Sequence, residues 1–169
     1  YRRRAVSGAE GRVLDIGVGF GLNLPLYSDK VIRVMGIDPS AELLRIAADA
    51  ARGAQPDVEL IEGLAETMPL ENASVDSVVV TWSLCSMTDP KRVLDEVRRV
   101  LKPNGRFHFT EHGLKRPALA RQVDADLATM RRKLSSQSPG RPIDGRLRLQ
   151  NGAAQHRIRE RPEADDVHV

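Results

Sequence analysis

The sequence holds one cysteine, Cys85, among 169 residues, so no internal disulfide can form and a disulfide-stapled scaffold is excluded. With four histidines beside that cysteine, a zinc site built from several ligands is not expected. Aromatic residues are scarce, at 4%, and all of them (Tyr1, Phe20, Tyr27, Trp82, Phe107 and Phe109) lie before Gly113. The remainder of the chain has no large ring with which to anchor a core. No apolar run approaches the roughly 20 residues that a membrane-crossing helix needs, so no integral membrane segment is expected. Tyr1-Arg2-Arg3-Arg4 is basic but leads into Ala5-Val6-Ser7-Gly8-Ala9-Glu10 rather than an apolar signal core, which makes the cytoplasm the expected location.

What is present is ordinary for one soluble globular domain: 41% hydrophobic and 29% charged residues, with a net charge of +3. The charge is unevenly placed. Residues 1–112 carry 14 Lys and Arg against 16 Asp and Glu, whereas the last 57 residues carry 12 against 7. The basic character therefore belongs to the tail. Its arginines come without interleaved aromatics and without a recognisable nucleic-acid module, so nucleic acid is not an expected partner.

Strand and helix signals alternate through the acidic part. Val13-Leu14-Asp15-Ile16 is a short apolar run that ends in a glycine cluster, as a buried parallel strand does. Similar runs are Val31 to Ile37, Val58 to Ile61, Val75 to Thr81 and Arg106 to Glu111. Between them, Ser40 is a suitable N-cap for a helix over Ala41 to Arg52, with Leu43, Leu44 and Ala47 on one face and Arg45 and Asp49 toward water. Asp89 and Pro90 open a second helix, in which Val93, Leu94, Val97, Val100 and Leu101 share a face, and Lys102-Pro103-Asn104-Gly105 stops it. A third helix is expected over Pro117 to Leu134. Such alternation implies right-handed crossovers and an α/β fold with a doubly wound, mostly parallel sheet. Ligands of such sheets lie beyond the carboxyl ends of the strands.

At the first of those ends stands Asp15-Ile16-Gly17-Val18-Gly19-Phe20-Gly21. Glycines at alternate positions serve either a plain tight turn or a ligand lying against bare main chain. The dinucleotide fingerprint needs its third glycine where Leu22 stands, which disfavours a pyrophosphate. Asp38 ends the second strand in Gly36-Ile37-Asp38-Pro39, where a carboxylate can accept hydrogen bonds from both hydroxyls of a ribose. Asp15 adds negative potential that suits a cation better than a phosphate. A ligand with a ribose, an amino group and a positive centre, but no phosphate, is S-adenosylmethionine.

Residues 12 to 112 resemble a class I S-adenosylmethionine-dependent methyltransferase of the type 11 branch, which implies a Rossmann-like fold and that cofactor. Asp15 to Gly21 is similar to the family's first motif and Asp38 to its ribose acid. Glu62-Gly63-Leu64-Ala65-Glu66-Thr67-Met68-Pro69-Leu70 resembles the segment that flanks the adenine in ubiquinone and menaquinone methyltransferases. Leu64 stands where that segment usually carries Asp, so the polar contact falls to main chain or to Glu66, with Leu64 and Ala65 as the apolar face. Ser74 to Val80 and Glu96 to Gly105 resemble the fourth strand and the helix after it. Gly21 to Tyr27, Leu84-Cys85-Ser86 and Glu111-His112 resemble small thiol S-methyltransferase-like proteins. This implies a small-molecule or lipid-like acceptor, since Thr81-Trp82-Ser83-Leu84 does not match the motif used on DNA bases.

The resemblance makes Asp15, Gly17, Gly19, Gly21, Asn23, Asp38, Pro39, Gly63, Leu64, Ala65, Glu66 and Thr81 the expected cofactor contacts. His112 is the first candidate base, with Glu111 second; a solvent-facing pair on a loop is the competing reading of both. His108 is expected to pack under a helix, Trp82 to wall the acceptor pocket, and Cys85 to be a small buried apolar residue. The complete fold would add two antiparallel strands beside the fifth, and neither is recognisable. The expected organisation is therefore a cofactor-binding domain over 1–134 and a basic, disordered or atypical tail over 135–169. An uncovered fifth strand would allow pairing with a second copy. An active transferase and a cofactor-binding fragment without turnover both remain open on these grounds.

Overall fold

The computed structural model of the chain describes residues 2–110. The expected helix at 117–134, the tail at 135–169, and Glu111 and His112 lie outside the described residues. Within them, the chain runs α1 (Arg2–Val6), β1 (Gly11–Ile16), β2 (Val31–Asp38), α2 (Ala41–Arg52), β3 (Asp57–Glu62), β4 (Val75–Thr81), α3 (Pro90–Val100) and β5 (Leu101–Thr110). Two single 3-10 turns, Leu24–Leu26 and Leu84–Ser86, follow β1 and β4. The sheet has the order β3-β2-β1-β4-β5 and every neighbouring pair is parallel. This is the doubly wound α/β architecture that the alternation implies, and the order reverses direction beside β1. Ligand crevices of such sheets open at that switch.

The helices form where caps and apolar spacing agree. Ser40 Oγ accepts the Leu43 N–H at 3.3 Å to start α2, and Asp89 Oδ1 accepts the Arg92 N–H at 3.1 Å to start α3. Both carboxyl-terminal turns carry arginine, which complements the helix dipole. α3 buries Val93, Leu94, Val97 and Val100 against one face of the sheet, where Leu14, Ile16, Met35, Ile37, Val78, Val80, Phe107 and Phe109 meet them. The rings of Phe107 and Phe109 stack at 5.5 Å. α1 and α2 cover the other face, over Val13, Val34 and Val79. Burying each such Val, Leu, Ile or Phe contributes about 1.5–3 kcal/mol, which is how two thin layers hold a five-stranded sheet.

One local expectation changes. The segment Lys102-Pro103-Asn104-Gly105 does not separate α3 from the strand; β5 starts at Leu101, directly after α3. The register then slips, with Val75 opposite Leu101 and Ser77 opposite Arg106, so the four residues loop out of the ladder. Lys102 Nζ lies 2.7 Å from Asp76 Oδ1 across that irregularity and fixes it. The basic start of the chain, for which no element was expected, forms α1, which buries Ala5 and Val6. Among the described residues no helix is long and apolar enough to cross a membrane.

Candidate functional site

The carboxyl ends of β1, β2 and β4 converge on the glycine turn. Gly17 and Val18 both donate their N–H groups to Ile37 O, at 2.9 and 3.2 Å, and Gly21 donates to Val18 O at 2.9 Å, so the chain doubles back over the end of β2. Gly17, Gly19 and Gly21 have φ of +67°, +54° and +75°, a region that side chains disfavour. Their surroundings differ. A Cβ on Gly17 would strike Ser83 at 2.6 Å, and one on Gly21 would press on Leu24, Ala50 and Ala47 at 3.0–3.2 Å. A Cβ on Gly19 would meet nothing nearer than Gly17 O at 3.9 Å. Gly19 therefore faces open space, and its missing side chain leaves a cradle of bare main chain.

Asp38 borders that cradle. Its Oδ2 accepts the Gly19 N–H at 3.0 Å and its Oδ1 accepts the Ser40 N–H at 2.9 Å. Each oxygen keeps acceptor capacity beyond these bonds. The carboxylate thus joins the glycine turn to the start of α2 and still presents two charged acceptors at the sheet edge. Pro39, exposed beside it, contributes no N–H that would compete.

Asp15 behaves differently from Asp38. Period-two alternation puts it on the Val13 face, under the loop at residues 23–27, and it is fully buried. Asn23 Nδ2 donates to both of its oxygens at 2.9 Å, and the Tyr27 hydroxyl donates to Oδ2 at 3.0 Å. Asn23 Nδ2 also lies 3.2 Å from Thr81 Oγ1, while Arg2 Nη1 donates to Asn23 Oδ1 and Thr81 Oγ1, both at 3.0 Å. Burial pushes the Asp15 carboxyl up to about 6, against the hydrogen bonds from Asn23 and Tyr27 and the charge of Arg2. Burial and the adjoining Asp15 push the Tyr27 phenol well above its ordinary value, so it remains a donor. Asp15, Asn23 and Thr81 thus form a buried polar network beneath the glycine turn, joined by Arg2 and Tyr27. No role had been expected for the last two. Tyr27 stands within a segment whose resemblance was noticed as a whole, and the signal for Arg2 was the apolar spacing of Ala5, Val6 and Ala9, which form the buried side of α1 and the turn after it.

The segment after β3 is held from two sides. Gly63 donates to Asp38 O at 3.1 Å, Ala65 and Met68 enter the core, and Leu64 stays exposed. Glu66 Oε1 accepts the N–H groups of Thr88 and Asp89 at 3.2 and 3.3 Å, so this oxygen braces the start of α3 rather than facing outward. Arg99 donates through Nη2 to Met68 O at 3.0 Å and through Nη1 to Leu70 O at 2.5 Å, and Glu96 Oε2 accepts the Met68 N–H at 2.8 Å. The Arg99 guanidinium holds the Glu96 carboxyl below its usual range.

At the end of β4, Trp82 takes φ of +57°, uncommon for a non-glycine residue, and donates its N–H to Thr110 O at 2.7 Å. Its ring lies under Arg2, with the guanidinium carbon 4.6 Å from the ring centroid. Cys85, expected to be a small buried residue, is exposed instead: it sits in the 3-10 turn Leu84–Ser86, where Leu84 takes the buried position. His108 is buried as expected, with neither ring nitrogen hydrogen-bonded among the described residues, and burial pushes it down to about 4. The structure thus brings the first seven expected cofactor contacts and Gly63 around one edge, with Thr81 joined through Asn23.

A parallel sheet of this order, with a main-chain cradle on its first strand and a two-acceptor carboxylate on its second, defines a nucleoside-binding α/β domain. The methyltransferase domain family matches residues 14–109, more than half of the chain, and the chain belongs to that family. Over 116 residues it is 37% identical to the phosphatidylethanolamine N-methyltransferase of Cereibacter sphaeroides, covering 66% of this chain and 57% of that protein. It is 34% identical over 114 residues to the human thiol S-methyltransferase TMT1B, covering 64% and 46%. The crystal structure of YcgJ from Bacillus subtilis is similar with a TM-score of 0.59 at 32% identity, covering 69% of this chain and 51% of that one. The chain spans about half the length of the curated relatives it matches.

Proposed function

We propose that this chain binds S-adenosylmethionine and transfers its methyl group to a small-molecule or lipid-like acceptor carrying a thiol, hydroxyl or amine. The observation that carries the reading is the pairing of Asp38 with Gly19. A carboxylate with two accepting oxygens borders the bare main chain at Gly19, where a side chain would meet only open space. Asp38 would hold the two ribose hydroxyls, Gly19 would admit the ligand against the turn that Gly17 shapes, and Gly63, Leu64 and Ala65 would flank the adenine. The bound cofactor supplies a methyl group on a sulfonium, an electrophile that already carries its leaving group.

The chain's own residues then have an aligning task. Holding acceptor and donor in line in a water-poor pocket removes most of the entropic barrier to such a displacement. A thiolate acceptor needs only surroundings that favour the anion, whereas a hydroxyl or amine gains from a base. We assign that base to His112, with Glu111 second, and the acceptor wall to Trp82. The relatives support an acceptor that is lipid-like or a small thiol: one is named for phosphatidylethanolamine and another for thiols. The domain division at residue 134, a cytoplasmic setting and pairing of two copies through the β5 edge belong to the same reading.

The test is a product assay for S-adenosylhomocysteine over a panel of alkyl thiols, phenols, quinols and phosphatidylethanolamine vesicles. Turnover with at least one acceptor is expected. Saturable binding of S-adenosylhomocysteine with no turnover across the panel would make the chain a cofactor-binding fragment instead.

A further inference from the structure

We propose that Arg2 is the anchor for the carboxylate at the amino-acid end of the cofactor. The inference rests on the reading of this edge as an S-adenosylmethionine site and extends it to a residue outside the matched family segment, which begins at residue 14.

The sheet order lays the site out in a row. Gly63 to Ala65 follow β3, Asp38 ends β2, the glycine turn ends β1, and Thr81 and Trp82 end β4. With adenine toward β3 and ribose at β2, the amino-acid end must extend over β1 toward β4. Neighbouring strands are about 4.8 Å apart, so β2 to β4 is about 10 Å, a distance that the chain from a ribose to the far carboxylate can span. Arg2 sits at that end, with Nη1 on Thr81 and Asn23 and the guanidinium over the Trp82 ring.

Among the described residues the charge on Arg2 is incompletely answered. Among the described residues no carboxylate lies within ion-pair distance of it, and neither Nε nor Nη2 donates to a described residue. Asp15, the acid of this network, is reached by hydrogen bonds only through Asn23, and its oxygens already accept from Asn23 and Tyr27. A guanidinium fixed through one nitrogen and stacked on a ring keeps a fork of N–H donors for a planar anion. The carboxylate is the one anionic group on S-adenosylmethionine. The left-handed backbone of Trp82 fits the same picture, because strain of this kind persists where surrounding structure enforces it, and here it sets the ring under the guanidinium.

The experiment is a two-by-two titration: wild type and Arg2→Gln, each with S-adenosylmethionine and with its decarboxylated analogue, which keeps the sulfonium and the amine. The wild type should bind the analogue at least tenfold more weakly than S-adenosylmethionine, and Arg2→Gln should bind the two within threefold of each other. Arg2→Lys, which retains the charge but loses the fork, should discriminate to an intermediate degree. Each comparison is made within one protein, so a general loss of stability in a variant does not mimic the result. Equal losses on both ligands in Arg2→Gln would reduce Arg2 to a brace between α1 and β4 and overturn the proposal. So would unchanged discrimination. Failure of the wild type to bind either ligand would instead remove the cofactor reading on which the proposal rests.

Discussion

Tyr27 donates its hydroxyl to the fully buried carboxylate of Asp15 at 3.0 Å, tying the loop after the glycine turn to the strand before it. Replacing Tyr27 with Phe keeps the ring and removes that donor. Because the carboxylate is left with fewer partners in a buried site, the loss should be about 1–3 kcal/mol, more than for an exposed bond. Urea unfolding at pH 7 measures it. The Tyr27 bond also lowers the Asp15 carboxyl, so in the Phe variant that group should titrate above about 6.

The glycines should separate by role. Gly19→Ala puts a methyl group into open space at a φ of +54°, so it should cost little more than the strain of that conformation, about 1 kcal/mol. Its affinity for S-adenosylhomocysteine should nevertheless fall at least tenfold. Gly21→Ala adds crowding against Leu24, Ala50 and Ala47 to the same backbone strain, and should lower the unfolding temperature clearly more than Gly19→Ala does. Thermal unfolding with and without ligand distinguishes the two; an equal effect of both on stability would contradict this division.

Acid stability should reflect two opposed groups. His108 is pushed down to about 4 from 6.5, so the folded state loses stability as pH falls from about 6.5 toward 4, by up to roughly 3 kcal/mol. Asp15 is pushed up to about 6 from 3.8, so its burial opposes folding above about 6 and this opposition is relieved as pH falls toward 3.8. The two partly cancel between pH 6 and 4. His108→Leu, which deletes both unbonded ring nitrogens at similar volume, should flatten or reverse the acid-side slope of unfolding free energy. Asp15→Asn should steepen it.

Much of this architecture was legible because it rests on short-range rules. The Ser40 and Asp89 caps, the 3.6-residue spacing in α2 and α3 and the apolar runs of β1, β2 and β4 each specify an element without reference to the rest of the chain. The glycine turn and Asp38 were legible for the same reason, since both are fixed by their place at a strand end. What was not legible depends on partners far along the chain. Asp15 reads as an acid facing the ligand until Asn23 and Tyr27 close over it, Glu66 as a contact to the adenine until its oxygen reaches Thr88 and Asp89, and Arg2 as part of a plain basic start until α1 lays it across Thr81 and Trp82. The looped-out Lys102 to Gly105 misled because Pro and Gly ordinarily end an element, whereas here the Lys102–Asp76 pair holds the irregular strand in register on either side.

The central claim is tested most directly by calorimetric titration of S-adenosylhomocysteine into the folded wild type and into Asp38→Ala. Saturable one-to-one binding is expected for the wild type. Two hydrogen bonds to a charged acceptor contribute about 3 kcal/mol or more, so the Ala variant should bind on the order of a hundredfold more weakly. Undiminished affinity in Asp38→Ala, or no heat of binding to well-folded wild type at millimolar ligand, would contradict the account.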